Sequence, residues 1–230
     1  MIIIPLYPIP LYLILYFLIP QFYNFTFAMR KIFVTGIGTD VGKTIVSAIL
    51  AEKLKADYWK PIQAGNLNNT DTRIIKLLIS NDKTVFHPEA YCLSKGASPH
   101  VAAHDDGIKI NMSNIKLPIT KNHLIIEGAG GLMVPLNQKS LIIDLISHLK
   151  AEVVLVSKNY LGSINHTLLS IELLKARGLN ITGIVFNGLS NNETESYILK
   201  YSGLKCLARI KHAPKITPEF IIRNASNFTI

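Results

Sequence analysis

Between Lys31 and Leu50 the chain reads KIFVTGIGTDVGKTIVSAIL, and this stretch limits the fold more tightly than any other. Ile32, Phe33 and Val34 suit a β-strand. A glycine-rich turn follows, and Gly42-Lys43-Thr44 passes directly into an apolar-periodic segment that reads as a helix from about Thr44 to Lys55. Glycines let successive backbone N–H groups converge on an anion, and a helix N-terminus adds partial positive charge. In such a cradle Lys43 neutralises the outer phosphates and the Thr44 hydroxyl can hold a magnesium ion, so the expected ligand is a nucleoside triphosphate. The spacing is a variant: Gly36 lies one residue further from Gly42 than in the standard loop, giving GxxxxxGKT with Ile37 at the usual glycine position.

A chain of 230 residues with an apolar fraction of 49% has room for one α/β domain with a full core. The formal charge of +9 raises the question of nucleic acid, but the Lys and Arg residues are scattered, without a dense run or interleaved aromatics. A solvated basic surface that also suits anionic nucleotides accounts for it, and no nucleic-acid partner is expected. Cys92 and Cys206 have neither CxxC nor metal-ligand spacing, which favours a reducing, cytoplasmic setting.

Residues 1–28 are a different kind of sequence. They carry no charge, and their prolines leave only nine uninterrupted residues between Pro10 and Pro20, short of the roughly 20 apolar residues a spanning helix wants. A basic n-region of a signal peptide is also missing. Met29 stands immediately before the first strand. The expectation is a fold confined to residues 29–230, with 1–28 an apolar extension outside it and the biological chain starting at Met29; a membrane anchor is the alternative.

Downstream, Tyr58-Trp59-Lys60-Pro61 reads as a short strand with a proline stop and Ile62 to Gly65 as the loop leaving it. A lysine at the C-terminal end of a parallel strand points to where ligands sit in open α/β sheets; taken alone Lys60 reads sooner as a solvated surface lysine, and the neighbouring phosphate loop is what reverses that order. Asp71 falls at or near the N-cap of a helical pattern, a capping role that competes with metal binding. Residues 81–121 are weakly periodic, with a short helical piece near Val101 to His104, and read as a lid or substrate-side insertion. His123 to Ile126 resume a strand that delivers Glu127-Gly128-Ala129-Gly130-Gly131, an apolar run ending in an acid as in a Walker B strand. Thr44, Asp71 and Glu127 then offer three oxygen ligands for magnesium. Val153 to Val156 read as a buried parallel strand, and Leu161-Gly162-Ser163-Ile164-Asn165 open a helix whose N-terminus can bind a carboxylate or simply be capped by Ser163 or Asn165. Ile181 to Phe186 form a further strand ending at Asn187, an amide suited to a purine edge. This alternation predicts a doubly wound, mostly parallel α/β sheet with helices on both faces, of the P-loop type.

Taken together, Gly36 to Thr44, Lys60-Pro61 with Gly65, Asp71, Ser98-Pro99-His100, Glu127 to Gly131, Leu161-Gly162 with Ile164-Asn165-His166, and Asn187 resemble the dethiobiotin synthetase family from Met29 to the C-terminus. The resemblance implies an ATP-dependent ligase of biotin synthesis that turns 7,8-diaminononanoate and carbon dioxide into dethiobiotin. It implies ATP and Mg2+ as cofactors, with Lys43 and Lys60 stabilising the γ-phosphate and the carbamate, and Thr44, Asp71 and Glu127 holding the metal. The nucleotide would lie against Gly38, Thr39, Asp40, Val41, Gly42, Lys43, Thr44 and Ile45, against Asp71 and Glu127 to Gly130, and at Asn187, Gly188 and Lys211 around the adenine. The substrate would meet Lys60 and Ala64, with its carboxylate received by Gly162, Ser163, Ile164 and Asn165 of a partner subunit, since the family is homodimeric; no membrane partner is implied. Two departures stand out: Ala64 replaces the Ser or Thr usual after Lys-Pro, and Lys211 follows Ile210 where proline is common.

The competing class is a regulatory ATPase of the partitioning or septum-positioning type. Such proteins resemble this chain in the loop but carry a second lysine early in it, where Ile37 or Gly38 stands here.

Overall fold

The computed structural model describes residues 29–230, so the expectation for residues 1–28 lies outside the described residues. The elements follow the alternation read from the sequence. They run β1 (Lys31–Gly36), α1 (Lys43–Leu54), β2 (Asp57–Trp59), β3 (Ile62–Ala64), α2 (Asp71–Leu78), β4 (Phe86–His87), β5 (Tyr91–Leu93) and α3 (Pro99–Asp105). Then come β6 (Leu124–Gly131), α4 (Ile142–Leu149), β7 (Glu152–Lys158), α5 (Ser163–Ala176), β8 (Ile181–Gly188), α6 (Asn192–Ser202), β9 (Cys206–Lys211) and α7 (Pro218–Ser226).

Seven strands form one sheet in the order β4-β2-β6-β1-β7-β8-β9, and every registered pair in it is parallel. A parallel sheet needs cover on both faces, which is why β1 and β7 are near-continuous apolar runs. Alternate residues divide between the layers. Ile32 and Val34 join Ile49, Leu50, Ile75, Phe220 and Ile221 in the layer of α1, α2 and α7. Phe33 faces the other way, into Ile126, Ile143, Ile146 and Leu174 beneath α4 and α5. Leu155, Ile171, Ile184 and Ile198 extend that second layer under α5 and α6. Because β1 has β6 on one side and β7 on the other, the chain changes winding direction at the C-terminal end of β1, the crevice where open α/β sheets bind ligands.

Two local expectations need correction. Ile62 to Ala64 are not a loop: they pair with Tyr91–Leu93 in a separate two-stranded parallel sheet. The carbonyl of Pro61 accepts from the amides of Ala90 and Tyr91, and the Gly65 amide donates to Leu93 at 2.8 Å, so the chain resumes pairing just past the proline that ends β2. The region 81–121 is correspondingly more ordered than its weak periodicity suggests, since β4 extends the main sheet by one edge strand and β5 carries the second sheet. Strands of two or three residues leave too little pattern for periodicity to register.

Candidate functional site

The loop after β1 is shaped by steric necessity. Gly42 has φ 97°, a left-handed backbone, and a side chain there would run into the Asn187 amide. Asn187 donates its Nδ2 hydrogen to the Val41 carbonyl at 2.9 Å, so the end of β8 braces the loop from behind. Lys43 opens α1 almost buried, its ammonium on the Gly38 carbonyl at 2.9 Å across the loop. Burial pulls its pKa down, Glu127 and Asp71 act in the opposite direction, and the nearby Lys60 adds to the lowering.

Three other elements deliver charged groups to the same point. Residues Tyr58 and Trp59 of β2 lie beside Ile125 and Ile126 of β6, so Lys60 and Glu127, each one residue further, arrive side by side. The Lys60 ammonium contacts Asp71 Oδ2 at 2.8 Å and Glu127 Oε1 at 3.0 Å. Burial lowers the Lys60 pKa, but the two carboxylates outweigh it and the net direction is upward; Lys60 in turn holds Asp71 below the ordinary carboxylate range against the opposing effect of burial. Asp71 is free for this role because it does not cap its helix. Thr70 is the N-cap, its hydroxyl accepting from the Arg73 amide, and Asp71 is the first helical residue.

The Thr44 hydroxyl lies 2.8 Å from Asp71 Oδ1 and 2.9 Å from Glu127 Oε1. A hydroxyl has one proton and can donate to only one of them; Glu127 Oε1 also takes an N–H from Lys60, and the three oxygens still keep spare lone pairs facing one another. That set of hard oxygens from Thr44, Asp71 and Glu127 fits a small divalent cation such as magnesium.

A cavity of about 670 Å³ opens over this cluster. Its polar floor includes Lys43, Thr44, Lys60, Asp71 and Glu127, while Ala64, Ala97, Pro99, Ala129 and Val134 give it an apolar side. Thr39, Asp40, Gly42, Ile45 and Gly130 also reach it; Gly38 and Val41 face a neighbouring cleft with Lys158 and Tyr160, and Gly128 is packed against Phe33. Gly162, Ser163, Ile164 and Asn165 lie elsewhere, in an 890 Å³ groove with Leu189 and Tyr197. Gly162, with φ 95°, forms the N-cap of α5 without a side-chain bond, so neither Ser163 nor Asn165 caps it. Gly188 pairs with Lys211 at the ends of β8 and β9, and neither these two nor Asn187 line the phosphate-side cavity.

Two residues of the cluster escape sequence reading. Tyr58 is fully buried and its hydroxyl donates to Glu127 Oε2 at 2.9 Å; burial first, then the facing carboxylate, pushes its pKa well above the ordinary value, which keeps it a donor. Its position two residues before Lys60, on the same strand face, was the available signal. Gln63 donates to the Gly65 carbonyl and accepts from the Asp71 amide at 3.3 Å, tying β3 to the start of α2. Its residue type carries no comparable signal.

Known proteins resemble the chain over most of its length. A family model described as an AAA domain matches residues 30–220. The ATP-dependent dethiobiotin synthetase BioD of Christiangramia forsetii is 54% identical over 199 residues, spanning 86% of this chain and 96% of that protein. The protein of the same name from Cytophaga hutchinsonii is 52% identical over 194 residues, 84% of this chain and 94% of that one. Among solved structures, the cell division ATPase MinD of Pyrococcus furiosus superposes with a TM-score of 0.54 at 15% identity, covering 86% of this chain and 97% of that one, a likeness of fold alone. With relatives this similar over nearly their whole length, the chain belongs to the ATP-dependent dethiobiotin synthetase family.

Proposed function

We infer that the chain uses ATP to close 7,8-diaminononanoate and carbon dioxide into the cyclic urea of dethiobiotin, the step of biotin synthesis for which its relatives are named. The observation that carries the reading is the meeting of Lys60 with Thr44, Asp71 and Glu127 beside the phosphate loop, since a loop alone serves many ATPases. One substrate amine adds to carbon dioxide and loses a proton, giving a carbamate. A carbamate oxygen then attacks the γ-phosphorus and ADP departs. The second amine attacks the carbonyl carbon of the mixed anhydride and loses a proton, expelling phosphate and closing the ring. Every step passes through concentrated negative charge and needs fixed cations more than a strong base. Lys43 would neutralise the outer phosphates, and Lys60, which lines the same cavity, would stabilise the carbamate.

Magnesium would sit on Thr44, Asp71 and Glu127 and, when bound, would screen the β- and γ-phosphate charge. Asn187, Gly188 and Lys211 would border the adenine; Asn187 spends one amide hydrogen on Val41 and keeps its carbonyl oxygen for the base. Gly162 to Asn165 would take the substrate carboxylate across a homodimer interface. Leu161, Ile164, Leu189 and Tyr197 are exposed around that turn, a patch suited to burial by a second copy. A cytoplasmic setting goes with the free thiols of Cys92 and Cys206; among the described residues no helix is long and apolar enough to cross a membrane.

The test is the coupling of ATP use to its co-substrates. Phosphate release should require both the diamine and bicarbonate. Undiminished hydrolysis without them would favour the regulatory-ATPase class instead.

A further inference from the structure

The Glu127 carboxylate has two oxygens with different surroundings. Oε1 faces the site, 2.9 Å from Thr44 Oγ1 and 3.0 Å from Lys60 Nζ. Oε2 faces the interior, where the Tyr58 hydroxyl reaches it at 2.9 Å. Glu127 is 1% exposed and Tyr58 is 0% exposed, so water has little access to take over that second contact. Tyr58 itself has no freedom to wander. Its amide donates to the Val85 carbonyl at 2.9 Å, it pairs with Ile125 of β6, and its ring tilts against Phe86 at 5.9 Å between centroids. A carboxylate with one oxygen fixed in this way cannot rotate about its terminal bond, and the other oxygen is aimed.

We propose that Tyr58 is a positioning residue for Glu127, holding its inner oxygen from behind so that the outer one stays aimed at Thr44 and the divalent cation. The inference rests on the magnesium reading of Thr44, Asp71 and Glu127. Groups that orient a metal ligand from outside its coordination shell typically carry a 10- to 100-fold share of metal affinity.

Tyr58→Phe removes only the hydroxyl and keeps the ring, so it is the variant of choice. Manganese binding in the presence of ADP, followed by electron paramagnetic resonance with MnCl2 as the probe, should weaken by about 10- to 100-fold in this variant. ADP affinity in EDTA should stay at the wild-type value. In a Glu127→Gln background, adding Tyr58→Phe should cost manganese no further affinity, because the oxygen it aims has already lost its charge. Unchanged manganese binding in Tyr58→Phe would overturn the proposal. An equal loss of metal-free ADP binding would also overturn it, assigning Tyr58 to packing. Wild-type protein that binds ADP but no manganese would remove the metal reading itself, an outcome distinct from failure of the Tyr58 variant alone.

Discussion

Asp57 opens β2 and Lys60 follows its last residue, so one three-residue strand separates two buried polar clusters of opposite character. At the opening end Asp57 is 3% exposed and each contact is with a donor: the Val85 amide at 3.2 Å, Asn122 Nδ2 at 3.2 Å, Thr120 Oγ1 at 2.7 Å and His87 Nε2 at 2.9 Å. This network is closed, with one carboxylate matched to the groups around it. It ties the loop before β6 and the edge strand β4 to the sheet. At the far end two carboxylates share one ammonium, that of Lys60, the single Thr44 proton can serve only one of the two carboxylate oxygens it faces, and a cavity stands open above. The closed cluster is satisfied by the fold alone; the open one is organised for something that arrives later. Buried charge is thus no guide to function until the donors and acceptors around it are counted.

The comparison predicts that the two ends fail in different ways. Lys60→Ala should lower dethiobiotin formation at least about 100-fold, the scale of losing one preorganised charge, while nucleotide binding measured by titration largely survives. Equal loss of both would make Lys60 a structural residue like Asp57. Asp57→Ala should do the reverse, costing about 2 kcal/mol in urea denaturation because it strands several buried donors, with turnover per folded molecule unchanged.

The same contrast has a pH signature. Burial alone would raise the Asp57 pKa, but bonds from Thr120, His87, Val85 and Asn122 outweigh it and hold the folded value below the ordinary 3.8. A depressed folded pKa means that the stabilisation is fully present above that ordinary value and lost as pH falls through the lower, folded one. The stability gap between wild type and Asp57→Asn should therefore be constant near neutrality and shrink below about pH 4 in paired denaturation curves. A gap that instead grows on acidification would place the sign of the shift wrongly.

How far the sequence could be read divides along the same lines. Lys43 and Thr44 were legible because a phosphate loop packs its chemistry into adjacent residues, and Glu127 because an apolar run ending in an acid has few other uses. Lys60 and Asp71 became legible only through their order relative to the loop. Tyr58 and the Asp57 network were not, since their partners lie far along the chain and depend on the register of β2 against β6, which no local pattern reports. The strands β3, β4 and β5 were missed for a different reason: two or three residues cannot display a period.

The smallest expected effect concerns the cavity wall. Ala64→Ser adds a hydroxyl at a position lining the cavity, and should lower KM for the diamine by several-fold, the worth of about one hydrogen bond, with kcat little changed. A fall in kcat would show that the position serves alignment of the reacting groups and not substrate hold.

The central claim is that the open cluster beside Lys60 serves carboxylation and ring closure. The most direct measurement is the mass of the product formed from 7,8-diaminononanoate, ATP and 13C-bicarbonate. The account predicts dethiobiotin carrying the label in its ureido carbon, with ADP released in equal amount. ADP accumulating with no labelled cyclic product, at a rate indifferent to the diamine, would contradict it.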